Sequence, residues 1–298
     1  MRNSGISTDR SQPLAWGGFG GHGREPMSIT QLIEAGDLSQ EVASLLWLAM
    51  SYGASVLVAA SPQLSGKSTM LNCMLDFIPP HVKRYYLQGR FEDFSFLPSV
   101  KPASSILIAE ELSDHTPSYL WDDDARKLFQ LLPKGYRYAA TMHASTAEQV
   151  LGELNDNLGA TIDQLGHLGI VVTLAAGRRP PEMSKPSSDG SSGRTQRPTA
   201  ARDRIYRLTM ATLIKRISGD NKNLAIEPLA EWSLEKDEHV IGENAFVVLA
   251  EYLKQPQKRL EKEFEEYCSE LESFIARGVF QMPDVRKAIL ETYKTAKS

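Results

Sequence analysis

The sequence predicts an α/β fold with a mostly parallel sheet and helices on both faces. Short, continuous apolar runs at residues 56–60, 104–109 and 169–175 fit strands that are buried on both sides. Segments with helical periodicity separate these runs, as a parallel sheet requires. The chain has 298 residues, 42% hydrophobic and 23% charged, which is enough for one large core or two small ones.

Two helices are predicted before the first strand. Residues 28–36 fit a short helix that begins after Ser28 and ends at Gly36, because serine caps helix N-termini and glycine ends helices. Ser39 is suited to cap a second helix, which ends near Gly53. Together these helices lead into the first strand at residue 56.

A phosphate-binding motif follows this first strand. The strand enters a short loop that ends in Gly66, Lys67, Ser68 and Thr69, and an apolar helical pattern comes next. Strand, loop, Gly-Lys-Ser and helix is the order of a P-loop, in which backbone N–H groups and the helix dipole hold phosphates. Lys67 would reach the β- and γ-phosphates, and the Ser68 hydroxyl would bind Mg²⁺. The alternative is an ordinary Ser/Gly turn between a strand and a helix.

The remaining elements follow in alternation, and the chain divides into three parts. We expect strands at 82–87 and 136–142, helices at 122–132, 146–158 and 162–165, a hairpin or paired edge strands at 204–210 and 211–217, and helices over 244–295. The predicted parts are a flexible segment at 1–26, a P-loop core at 27–235 with a disordered loop at 177–201, and a C-terminal helical region at 236–298.

Two acids follow the apolar strand at 104–109. Glu110 and Glu111 come directly after it, and the carboxyl end of a buried strand is where doubly wound sheets place ligand chemistry. A P-loop needs such an acid to hold Mg²⁺ or its water. We therefore predict a Mg²⁺ site here, with Glu110 preferred over Glu111. The alternative is a pair of acids in the first turn of a helix.

His143 and Glu92 complete the predicted site. His143 ends the strand at 136–142, where an imidazole can sense the γ-phosphate or orient water, although a structural histidine is the alternative. Glu92 and Asp93 follow the strand at 82–87 and are candidate general bases. An acid-rich turn explains those two residues equally well.

Composition excludes several classes of function. The net charge of −4 leaves no global basic field for nucleic acid and disfavours a motor that acts on it. Cys73 and Cys268 lie far apart without metal-ligand spacing, and this cysteine usage suits a reducing cytoplasm. No apolar run approaches the roughly 20 residues that span a bilayer. Membrane association would therefore need a partner or a surface.

The motifs together resemble a known family. The family is that of the traffic ATPases of type II and type IV secretion and of type IV pilus machines. Its lead-in helices and Walker A loop resemble residues 29–79, and its Walker B strand resembles the segment ILIAEEL at 106–112. Its His box resembles the segment YRYAATMHASTAEQVLGEL at 136–154. The resemblance covers 27–176 well and 203–295 loosely, where the last helices are similar to the tail of archaeal-type members.

The resemblance implies an ATP-hydrolysing motor with a RecA-like core. It implies a hexameric ring that works on the cytoplasmic face of the inner membrane with a membrane platform protein; a hetero-oligomer with a paralogue is the alternative assembly. ATP and Mg²⁺ are the implied cofactors. Motif by motif, the resemblance assigns Lys67, Ser68 and Thr69 to the nucleotide site, Glu110 to the Walker B acid and His143 to the His box. With the reasoning from the residues, the predicted nucleotide ligands are Ser61, Ser65, Gly66, Lys67, Ser68 and Thr69; the metal ligands are Ser68 and Glu110; and the catalytic residues are Glu110, Glu92 and His143.

A second interpretation is a degenerate regulatory or assembly subunit without efficient hydrolysis. Ser61 and Leu64 stand where the Walker A pattern has small glycines, and Gln88-Gly89 stand where the family has an acidic pair. Most of the family's N-terminal domain is also expected to be missing. Gly66-Lys67-Ser68, Glu110 and His143 favour the active enzyme instead.

Overall fold

The computed structural model describes residues 10–11, 27–61, 66–178, 204–217 and 223–295. Most of the predicted 1–26 segment and of the 177–201 loop lies outside these residues. The tip of the predicted P-loop, residues 62–65, lies outside them as well, and with it the candidate ligand Ser65.

An eight-stranded sheet organises the described chain, in the order β2-β3-β4-β1-β5-β6-β7-β8. The strands are β1 Val56–Ala60, β2 Lys83–Tyr86, β3 Ser105–Ile108, β4 Tyr138–Met142, β5 Gly169–Arg178, β6 Arg204–Arg216, β7 Leu224–Ser233 and β8 Glu238–Ile241. The first five strands of the chain pair in parallel, and β6 to β8 extend the sheet beyond β5 as antiparallel neighbours. The predicted α/β class with a mostly parallel sheet is therefore confirmed.

Capping residues define the first two helices, as the sequence predicts. The Ser28 side chain accepts a hydrogen bond from the N–H of Gln31, and the Ser39 side chain accepts one from Val42. The helices are α1 Ile29–Glu34, α2 Gln40–Ser51, α3 Lys67–Asp76, α4 Asp122–Leu131, α5 Ala147–Leu158, α6 Ile162–Leu165, α7 Ala245–Leu253, α8 Gln257–Ala276 and α9 Met282–Thr295. Within the described ranges, no helix has the length and apolar character needed to cross a membrane.

Helices cover both faces of the parallel part of the sheet. Side chains of β1 alternate between the faces, so Val56 and Val58 share one apolar cluster with the α3 residue Met70. Leu57 lies in the other cluster, together with the α5 residue Val150. Since α3 and α5 lie on opposite faces, the chain leaves β1 and β4 in opposite directions.

The C-terminal helices pack onto the first of these clusters. Trp47 of α2 is fully buried and stacks on Tyr267 of α8, with ring centroids 4.5 Å apart. Its indole N–H donates to the Tyr293 hydroxyl of α9 over 2.9 Å. This aromatic group therefore joins the predicted C-terminal helical region to the core through shared buried surface.

The prediction of a hairpin or paired edge strands at 204–210 and 211–217 is wrong. These residues form the single strand β6, which pairs with β5 on one side and β7 on the other. A tight hairpin needs residues such as Asn-Gly at its turn, and Met210-Ala211 offer neither. The register shift against β7 between Ala211 and Thr212 is a local irregularity within one continuous strand.

Candidate phosphate-binding site

The β1–α3 connection has the order that the sequence predicts. Strand β1 ends at Ala60, and α3 begins at Lys67. Gly66 caps α3 with φ 85°, a left-handed conformation that residues with a Cβ rarely adopt. Ser68 and Thr69 lie partly exposed in the first turn of α3, and Ser61 is exposed at the end of β1.

The sheet order places this connection at a topological switch point. Strands β1 and β4 are neighbours, yet the helix that follows β1 packs on one face and the helix that follows β4 packs on the other. The carboxyl ends of such a strand pair are where open α/β sheets bind ligands, and we call this position the crevice. His143 comes directly after β4 and therefore lies at this crevice.

Lys67, Glu111 and His143 meet in the crevice. The Lys67 ammonium lies 3.2 Å from Nδ1 of His143 and 3.6 Å from Oε2 of Glu111. Nε2 of His143 lies 3.1 Å from Oε1 of Glu111. The side chains of Lys67 and Glu111 are 7% and 8% exposed, so both charges are largely removed from water.

The surroundings of His143 bear on its protonation. The Lys67 ammonium, which can only donate, lies 3.2 Å from Nδ1 and 3.3 Å from Nε2 of the ring, so it reaches both ring nitrogens. Burial lowers the pKa of His143, and Lys67 and His115 add to this effect against the opposing charge of Glu111. Burial also lowers the pKa of Lys67, an effect that the Glu111 carboxylate partly offsets. The arrangement thus holds a cation, an anion and a neutral imidazole in contact.

The structure brings Glu111, rather than the preferred Glu110, to Lys67. The chain bends at Glu110, two residues after the end of β3, and the Glu110 carbonyl oxygen accepts a hydrogen bond from the Thr141 hydroxyl over 2.8 Å. Leu112 then donates its N–H to the Thr141 carbonyl over 2.8 Å. These main-chain contacts with β4 direct Glu111 into the crevice, where its carboxylate meets Lys67.

Glu92 lies at a different position on the sheet edge. It follows β2, and β3 and β4 lie between β2 and β1, so the two strand ends are about 14 Å apart at the usual strand spacing of roughly 4.8 Å. Its oxygens accept the N–H groups of Gln88, at 3.0 Å, and Phe94, at 2.7 Å, and they pair with Arg10. Asp93 beside it is largely exposed. Among the described residues, the bonds of Glu92 thus stabilise its own loop and hold Arg10 against that loop.

Ser113 and His115, which the sequence analysis did not select, also border the crevice. Ser113 donates to Oε1 of Glu111 over 3.3 Å and lies 3.3 Å from Nδ1 of His115. The His115 ring lies 5.7 Å from the His143 ring, in an edge-to-face arrangement. Glu111, Ser113 and His115 stand at alternate positions in the sequence. This spacing points to Ser113 and His115 as site residues only once Glu111 is known to face the site.

Comparisons with known proteins yield uncharacterised relatives. No family model matches the chain. It is 25% identical over 303 residues to the uncharacterized protein MJ0900 of Methanocaldococcus jannaschii, in an alignment that covers 90% of this chain and 49% of that protein. It is 28% identical over 144 residues to the uncharacterized protein MJ1287 of the same organism, covering 42% of this chain and 53% of the relative. The aligned parts span about half the length of these curated relatives.

Proposed function

We propose that the crevice between β1 and β4 binds the phosphates of ATP, and that the chain hydrolyses ATP as a motor-type subunit of the type II/IV secretion or type IV pilus class. The observation that carries this proposal is the buried contact of Lys67 with Glu111 and His143, at the N-terminus of α3 and at the switch point of the sheet.

The phosphate ligands would be Lys67 and the first turn of α3. The N–H groups of a helix N-terminus have no partners within the helix, and the helix dipole favours an anion there. Lys67 is already paired with one anion, Glu111. A triphosphate carries more negative charge than one carboxylate, so it would attract the ammonium away from Glu111. The Glu111 carboxylate could then bind Mg²⁺ or the attacking water.

Mg²⁺ fits the donors beside Lys67. The Ser68 hydroxyl follows Lys67 on α3, and the Glu111 carboxylate contacts Lys67 from across the crevice. Hydroxyl and carboxylate oxygens are the hard ligands that Mg²⁺ prefers. When bound, the ion neutralises charge on the phosphates.

Catalysis in this proposal consists of positioning and charge stabilisation. Glu111 is the acid in contact with Lys67, so it replaces Glu110 and Glu92 as the group that polarises the attacking water. His143 contacts both Lys67 and Glu111, so it would orient that water or respond to the γ-phosphate. Lys67 stabilises the negative charge that develops on the phosphates.

The motor class is supported by the resemblance of residues 29–79, 106–112 and 136–154 to traffic ATPases. We extend the proposal to an oligomeric ring, or an assembly with a paralogue, which docks on a membrane platform at the cytoplasmic face of the inner membrane. In that setting ATP turnover rises with protein concentration, because neighbouring subunits complete each site.

The test is nucleotide binding and turnover of the full chain with Lys67→Ala, beside Lys134→Ala as an exposed control lysine. Binding of a fluorescent ATP analogue should weaken at least tenfold in Lys67→Ala, since a charge-assisted hydrogen bond contributes about 1.5–3 kcal/mol. The control should bind like the wild type. If Lys67→Ala binds and hydrolyses ATP normally, the proposal is wrong.

A degenerate nucleotide-binding subunit is the second candidate. The observation that favours it is the engagement of Glu92 by two backbone N–H groups, which removes one predicted catalytic acid from the site. Nucleotide binding that depends on Lys67, without turnover at any protein concentration, would support this candidate over the active motor.

A further inference from the structure

Glu111, His115 and His143 form a group of potential metal ligands beside the phosphate crevice. Each offers one ligand atom, and these atoms all lie within 4.8 Å of one another. We propose that the three side chains bind a first-row transition-metal dication of the zinc class when no nucleotide is present. This inference goes beyond nucleotide binding and does not depend on it.

The two oxygens of Glu111 already face different partners. Oε2 lies towards the Lys67 ammonium, at 3.6 Å, while Oε1 lies 3.1 Å from Nε2 of His143. A dication between Oε1 and Nε2 would replace this close contact and leave the pairing of Oε2 with Lys67 in place. His115 is about half exposed, so its ring can adjust to supply the third ligand.

The ligand types favour a transition metal over Mg²⁺. Two imidazoles and one carboxylate form the set found in zinc enzymes that keep a fourth position open. Imidazole suits zinc, cobalt, nickel and copper, whereas Mg²⁺ prefers oxygen ligands.

Lys67 makes the metal site and the phosphate site compete. The Lys67 ammonium lies 3.3 Å from Nε2 of His143, so a dication bound to that nitrogen would lie close to a like charge. Like charges at such a distance repel each other. The same residue that attracts phosphate therefore weakens metal binding, and a metal that occupies Glu111 withholds it from the nucleotide.

The first experiment measures metal binding without nucleotide. The full chain is titrated with Zn²⁺ by calorimetry and with Co²⁺ by visible absorption, as wild type, as His115→Ala and as His81→Ala, an exposed control histidine. We expect His115→Ala to weaken affinity at least tenfold, since loss of even an outer partner of a metal site costs about 10- to 100-fold. The control should match the wild type. Equal affinities in all three proteins would overturn the inference.

The second experiment separates this inference from the proposed function. Lys67→Ala should bind Zn²⁺ more tightly than the wild type and nucleotide more weakly, so the two affinities change in opposite directions. If both ligands bind more weakly, the metal inference is wrong while nucleotide binding stands. Tighter Zn²⁺ binding with unchanged nucleotide binding would support the metal site and contradict the proposed phosphate site.

Discussion

Glu92 and Glu111 both follow parallel strands at the same edge of the sheet, yet they face different surroundings. Glu92 is fully buried and is held by backbone N–H groups and by Arg10. Glu111 contacts two side chains that can change protonation or position, Lys67 and His143. A carboxylate at the edge of a parallel sheet is therefore not a site by itself, because its distance from the switch point decides what it can contact.

The largest expected effect is on stability, at Glu92. Glu92→Gln places an amide where the carboxylate accepts N–H groups, and it leaves Arg10 without its buried partner. We expect the free energy of unfolding to fall by about 3–5 kcal/mol, as for one broken buried ion pair. Urea denaturation measures this loss. A change below about 1 kcal/mol would mean that the contacts of Glu92 are not structural.

The next effect is on turnover, at Glu111. Glu111→Gln should lower ATP turnover at least 100-fold, equal to about 2.7 kcal/mol in the barrier, because the acid that serves water and Mg²⁺ is lost. Glu110→Gln is the matched control, and we expect it to keep most of the activity. If Glu110→Gln loses more ATP turnover than Glu111→Gln, Glu110 is the catalytic acid, as the sequence alone predicts.

The smallest effect is on the pH dependence of stability. The pKa of His143 is lowered in the folded protein, so the unfolded chain binds more protons once the pH falls below about 6.5, and stability decreases there. His143→Gln should flatten the slope between pH 7 and 5, by at most about 1.4 kcal/mol per pH unit. Asp37, whose pKa burial raises to about 7, acts with the opposite sign, so the comparison must be between variant and wild type. If the free energy of unfolding changes with pH in the same way in both proteins, the lowered pKa of His143 is contradicted.

Local patterns in the sequence predict much of this fold. The caps at Ser28 and Ser39, the β1–α3 order around Gly66 and the end of β4 before His143 all follow from short-range signals. Strands β7 and β8 were not predicted, because β7 lacks clear alternation and β8 is only four residues long.

The site was predicted less completely, because it depends on strand order. Neighbouring strands in space are not encoded by local periodicity, so Glu92 and Glu111 look alike in the sequence. The choice of Glu111 over Glu110 depends on the bend after β3 and on its bonds to Thr141, which are contacts with a distant segment. His115 becomes a candidate only after that choice is known.

The insertion of β4 between β1 and β3 has a consequence for signalling within the molecule. Lys67 follows β1 and Glu111 follows β3, so the imidazole at the end of the intervening strand borders both. Any ligand that displaces the ammonium or occupies the carboxylate must change the contacts of that ring. The NMR resonances of the His143 ring nitrogens should therefore shift when a ligand binds on the Lys67 side or on the Glu111 side of the crevice, before any reaction takes place.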